Sequence, residues 1–479
     1  MPSALVFAFI FCAVLVPPGP MGFAQQLPPK LLQEDFRIVR SALEQAHGGI
    51  YRYSTKAEMD RSFARACRKI DRPMTALDFW RLLAPVVAQI KCGHTFLWFP
   101  EALQEELMGT RLFPLEVRIL DGRAWVYQDL ENADSPLEGS ERLSINGVRM
   151  HKLLGQLREV FTGDGNTSAA KDWRIGQIGG FKQYLYGFGI EAPFRVTVRS
   201  QAGKRQVLEL AGITMAAREA ASAARKSAPP PTNADLRFLD EGRIAILTIR
   251  RWYQYIDPEG KVTFSEFLQS AFSRLREKES ECLIIDVRDN DGGLDAPGKE
   301  LFSFLWNRPF NYYTELIISG REFDFFKYET NAKPVRADLV ERQADGRFRL
   351  VNHPNLGLQQ PSQSYFAGKV FALMNGGTFS TSCEFLSMLH FYKRGTFIGE
   401  EPAGGYYGCT AGRFVHVSVP NSKLMLRFGL TTYYQAVSDY KFPDRGVLPD
   451  FPVQYTISEL MTGRDKEMDL ALSLARRNK

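Results

Sequence analysis

The chain has 479 residues, with 60 Lys and Arg against 54 Asp and Glu, a formal charge of +6. Apolar residues make up 44% and aromatics 12%, a globular composition that excludes a disordered or fibrous chain. At roughly 150 residues per domain the length implies about three domains, and six Cys in so long a chain exclude a small disulfide scaffold. A charge this mild, with no block of Lys and Arg, gives no case for nucleic acid.

Ala4 to Val16 is an unbroken apolar run, Pro17, Pro18 and Pro20 stop any helix, and Gly22-Phe23-Ala24 offers small residues for cleavage. No Lys or Arg precedes the run, so only the α-amino group supplies positive charge there. The run is too short for a stable bilayer span. Residues 1–24 are therefore expected to be a signal peptide, with a short membrane anchor as the alternative. The mature chain is expected to be exported, periplasmic or extracellular, with no integral membrane span. Loss of Cys12 leaves Cys67, Cys92, Cys282, Cys383 and Cys409, an odd set, so at least one thiol is free or pairs between chains. No pair has the CxxC spacing of structural zinc.

Residues 25–108 read as a helical domain. Leu31, Leu32, Phe36, Val39 and Leu43 recur at helical spacing, as do Met59, Phe63 and Cys67, and Thr75 is placed as the N-cap of a third helix through Phe79, Leu83 and Val86. The pattern breaks at Lys91-Cys92-Gly93-His94, and Thr95 to Phe99 reads as a strand. Residues 109–215 are strand-rich: Leu115 to Ile119 alternates, Asp121-Gly122 is a hairpin turn, and Phe194 to Val198 pairs with Val207 to Leu210. The Ala-rich, Pro-rich stretch 216–235 reads as a linker with a short helix.

From 236 to 479 the pattern is α/β. Ile244 to Ile249, Cys282 to Val287 and Val370 to Met374 are continuous apolar strands, each turning towards a helix, as in a sheet covered on both faces. Residues 309–367 are weakly patterned and read as an insertion.

Two strand-to-helix turns carry the chemistry. Asp286 to Gly293 ends in paired glycines, which let backbone approach a ligand and aim N–H groups at negative charge. Asn375 to Glu384 places Ser380 at a helix start, where the helix dipole favours anionic intermediates. Ser380 is either a nucleophile or a cap, and Thr381-x-x-Glu384 fits a capping box. A nucleophilic Ser needs a base. Among six His, His94 stands out at a helix-to-strand break, while His390 and His416 fall on a helix and a strand.

The combined pattern resembles the tail-specific (C-terminal processing) serine peptidase family. The resemblance rests on Ala46-His-Gly-Gly-Ile-Tyr, Cys92-Gly-His-Thr, Gly139 to Val148, Leu283 to Gly293, Asn375 to Phe385, Ile398 to Gly405 and Gly446-Val-Leu-Pro-Asp, in family order. It implies an α/β, crotonase/ClpP-like catalytic domain, a PDZ-like β-rich domain interrupted from Gly163 to Gly189, and the N-terminal helical domain. Many members pair the Ser with a Lys 25 positions later, but that position is Gly405 here. The tricorn-core-like branch uses a His instead, and His94 falls on that position, with Gly93 where that branch has a Ser.

On this resemblance Ser380 is the nucleophile, His94 the base, and Gly292, Gly293 and Thr381 supply oxyanion N–H groups. The acid orienting the imidazole is Asp444 or Asp439, although Asp444 also fits a simple turn. The expected reaction is acyl transfer on a polypeptide substrate, with no metal or cofactor implied. The alternative is a catalytically inactive peptide- or small-ligand-binding protein on the same scaffold. A CoA-dependent crotonase is disfavoured by the export signal.

Overall fold

The computed structural model describes residues 25–477 apart from 133, 178–179, 226–231 and 330–332. The expected signal peptide lies outside the described residues. No helix among the described residues is long and apolar enough to cross a membrane.

The chain opens with helices Pro29–Ala46, Lys56–Arg68 and Ala76–Ala88. Their buried stripes include Leu32, Phe36, Val39, Met59, Phe63, Phe79 and Leu83, at the spacing read from the sequence. Thr75 caps the third helix by accepting the Asp78 N–H, and Thr55 caps the second through a capping box with Glu58. The next strand, Phe96–Trp98, pairs antiparallel with Met425–Gln435 near the other end of the chain, with Phe96 opposite Arg427. This pairing carries the segment around His94 to the C-terminal region.

An antiparallel sheet follows. Leu115–Leu120, Arg123–Asp129, Glu141–Ile145, Phe194–Arg199 and Arg205–Leu210 lie side by side in that order. Asp121 and Gly122 take positive φ in the first hairpin, as a tight turn requires. The interrupting segment holds helices Ser168–Gln177 and Gly180–Gly187. One apolar cluster joins this sheet to the N-terminal helices and to the late strands: Leu83, Val117, Leu153 and Phe428 all belong to it.

The last region is built on a sheet in the order Phe451–Pro452, Thr396–Gly399, Lys369–Met374, Cys282–Asp286, Ile244–Ile249, Ala234–Leu239. All neighbours are parallel except the last pair. Leu283 and Ile285 face one apolar cluster and Cys282 and Ile284 another, so the central strand is covered on both faces. The segment 309–367 does more than interrupt: its strand Tyr313–Ile318 pairs with Met425–Gln435, in the sheet that also holds Phe96–Trp98, with Ile318 opposite Thr431. All five cysteines of the described residues are free.

Candidate active site

Ser380 joins the strand Lys369–Met374 to the helix Thr381–Phe391, with φ 57 and ψ −124. Positive φ in a residue with a side chain is strained and persists only where the surroundings hold it. The holding is visible. Phe379 N–H donates to the Asn290 carbonyl at 2.9 Å, and the Thr378 hydroxyl donates to the Val287 carbonyl at 2.9 Å. The Ser380 side chain makes no capping hydrogen bond. The capping-box reading of Thr381 and Glu384 is overturned too. The Thr381 hydroxyl donates to the Gly293 carbonyl at 3.2 Å, and the Glu384 carboxylate accepts from the Tyr313 hydroxyl at 2.7 Å. Burial, with Asp295 nearby, pushes Glu384 up to about 8.

His94 Nε2 lies 3.2 Å from Ser380 Oγ. The imidazole is buried against Phe379, with centroids 4.4 Å apart, and against Phe414 at 5.5 Å. Arg427 donates to the His94 carbonyl at 3.1 Å and Arg174 to the Gly93 carbonyl at 3.2 Å. Burial, and then these two guanidinium groups, hold His94 well below its ordinary value, so it is neutral and able to accept a proton. A side chain at Gly93 has no room, because a Cβ there would lie 2.5 Å from Phe379 Cζ. At Gly405, a Cβ would collide with the Tyr53 hydroxyl. The Lys of the Ser–Lys pattern therefore has no space at that position.

The structure does not bring Asp444 or Asp439 to His94. The Asp444 carboxylate accepts from the Asn166 side chain, its carbonyl accepts the Asn166 N–H at 2.9 Å, and Asp439 accepts from the Ser438 hydroxyl at 2.7 Å. His94 Nδ1 is buried without a hydrogen-bond partner among the described residues. Asp444 thus secures the loop 163–167 rather than the imidazole.

That loop carries Asp164, which the sequence reading missed. Asp164 is 1% exposed, and its Oδ1 accepts the Gly93 N–H at 2.7 Å while its Oδ2 accepts the Gly405 N–H at 3.2 Å. Cys92, His94 and Asp164 each offer a possible metal-ligand atom within 4.8 Å of the others. Both Asp164 oxygens are already bonded to backbone N–H groups, and the Cys92 thiol points at the Thr410 carbonyl at 3.5 Å with burial pushing it up to about 11. A thiol held protonated is a poor metal ligand.

The glycine turn lies against Ser380. At Gly292, φ is 106 and an added Cβ would sit 2.6 Å from Ser380 Cβ. Gly292 N–H is engaged, donating to Asn290 Oδ1 at 3.0 Å. The N–H groups of Gly293 and Thr381 have no acceptor among the described residues. Trp252, also missed, pins the turn: its N–H donates to the Gly292 carbonyl at 3.3 Å and its carbonyl accepts the Leu294 N–H at 2.7 Å. Its indole donates to the Ser382 hydroxyl at 2.7 Å. His94, Ser380, Gly292, Gly293, Trp173 and Arg427 line one cavity of about 500 Å³, a size suited to a ligand.

Residues 243–453 match the model of peptidase family S41. No curated protein matches this sequence. Among solved structures, mature CPAF is similar with a TM-score of 0.61 and 14% identity over 93% of this chain and 96% of that one. Mature CPAF complexed with lactacystin gives 0.62 and 15% over 93% and 98%. A point mutant of CPAF gives 0.64 and 14% over 94% and 98%. The fold and the family match define a serine-type peptidase of mixed α/β fold. The likeness to peptidase family S41 covers residues 243–453, somewhat less than half of the chain.

Proposed function

We propose that the chain is an exported endopeptidase that cleaves polypeptides by acyl transfer, with Ser380 as nucleophile and His94 as base. The contact of 3.2 Å between His94 Nε2 and Ser380 Oγ carries this reading. Ser380 Oγ attacks a peptide carbonyl while neutral His94 takes its proton and returns it to the leaving amine. The free N–H groups of Gly293 and Thr381 hold the oxyanion, each donor of this kind contributing on the order of 10²–10³ in rate. Gly292 serves instead as the place where the turn can approach Ser380. The lack of room for a side chain at Gly405 favours His over Lys as base.

In this reading Asp164 replaces Asp444 as the carboxylate that supports the base. It is a positioning residue, acting on Gly93 through the backbone. The sheet from Leu115 to Leu210 is a PDZ-like module, and the helices before it form an N-terminal helical domain. Export rests on the apolar run Ala4 to Val16. Hydrolysis of unfolded, dye-quenched casein by the mature protein tests the function: wild type should turn over and Ser380→Ala should not. Equal rates would reject the assignment.

A further inference from the structure

Away from the active site, helices Lys56–Arg68 and Ala76–Ala88 and the segment 158–171 enclose a second cavity of about 620 Å³. Arg65, Lys69, Arg81, Lys91, Arg158 and Lys171 line it, with Glu159 as the single lining carboxylate. Arg81 is paired with Asp78 at 2.6 Å and Arg158 with Asp172 at 2.7 Å. Arg65, Lys69 and Lys91 have no ion pair among the described residues, and the Lys171 ammonium donates only to the Arg158 carbonyl, at 2.8 Å. After Glu159 and the two pairing carboxylates are credited, three positive charges remain around one concavity. An excess of like charge in one place raises the folding free energy, and an anion relieves that cost.

We propose that this cavity is a binding site for a soluble ligand bearing clustered phosphate groups. Its volume falls in the range of small-molecule sites, and mixed Lys and Arg suit phosphate oxygens. The cations line a partly open cavity rather than an extended stripe, which fits a compact anion. Burial and the neighbouring Lys91 and Arg158 also lower Lys171, a mark of the same uncompensated field. The site adjoins the active site through Lys91. The Lys91 carbonyl accepts the Gly165 N–H at 2.9 Å, next to Asp164, and Lys91 itself precedes Cys92-Gly93-His94. An occupant would therefore touch the segment that leads to His94.

Calorimetric titration of the mature protein with sodium tripolyphosphate tests this. One molecule should bind per chain, more weakly as salt is raised, and Lys69→Gln/Lys171→Gln should weaken it roughly ten-fold or more. No binding at millimolar tripolyphosphate, or equal affinity in wild type and variant, overturns the proposal. Acetylation footprinting of the unaltered protein gives a second readout. Tripolyphosphate should protect Lys69, Lys91 and Lys171 but not Lys261 or Lys441, and uniform protection would count against the site.

Discussion

Asp164 and Gly93 are joined by a hydrogen bond of 2.7 Å from the Gly93 N–H to Asp164 Oδ1. The other oxygen of the same carboxylate holds Gly405, so one buried side chain sets the segment entering His94 against the loop that faces Ser380. Loss of these bonds would leave two buried N–H donors unpaired.

Asp164→Asn keeps the shape but turns one acceptor into a donor. A shift of about 1 Å in a reacting group costs on the order of 10² in rate. We expect kcat to fall by about 10- to 100-fold with KM nearly unchanged, since Asp164 does not line the substrate cavity. Steady-state kinetics check this. An unchanged kcat, or a loss confined to KM, would contradict the positioning role.

The pH profile follows from His94. In the proposed mechanism its neutral form is the active one, and its value lies well below 6.5, so kcat/KM should hold through pH 6.5 and fall only in more acidic solution. The Arg427 charge is the second cause of that depression, after burial. Arg427→Gln should therefore raise the His94 value and move the acid limb to higher pH. A limb that stays in place or moves down would contradict this.

Gly292 marks where backbone meets Ser380. Gly292→Ala puts a methyl 2.6 Å from Ser380 Cβ at a φ of 106 that side chains resist. Activity should drop by about 100-fold or more, and the strain should lower the thermal midpoint by about 2–8 °C. A variant keeping half the wild-type rate would show that the turn does not support Ser380.

Arg142 is 1% exposed, and its Nε, Nη1 and Nη2 have no hydrogen-bond partner among the described residues. It lies between the rings of Phe113 and Phe181, at 4.3 and 4.5 Å, and burial pushes it down to about 9, so it is charged at neutral pH. A buried unpaired charge is destabilising, and the two ring faces offset only part of that. Arg142→Met should leave the thermal midpoint equal or higher. A drop of more than about 5 °C would show that the rings offset the burial cost in full.

The sequence is most readable where neighbours in the chain decide the structure. Thr75 before an apolar helical stripe is a cap in both readings, and the strand Cys282–Asp286 is apolar because both its faces are covered. Both chemistry-bearing turns were legible as turns. What they contain was less so. Thr381-x-x-Glu384 has the residues of a capping box, but the distant Gly293 carbonyl and Tyr313 hydroxyl take those side chains instead. Asp444 lies beside a family-like motif, yet chain position does not fix where a carboxylate points, and it points to Asn166. Asp164 lies in a stretch that reads as an interruption. No periodicity marks a carboxylate whose partners are backbone N–H groups 71 and 241 residues away.

The proposed mechanism requires His94 to activate Ser380 across 286 residues of chain. Time-resolved labelling of the mature protein with a fluorophosphonate, with the modified peptide identified by mass spectrometry, tests it most directly. A single adduct on Ser380 is expected, with none in Ser380→Ala and labelling slowed by at least about 10³ in His94→Ala. Undiminished labelling of His94→Ala, or an adduct on another residue, would contradict it.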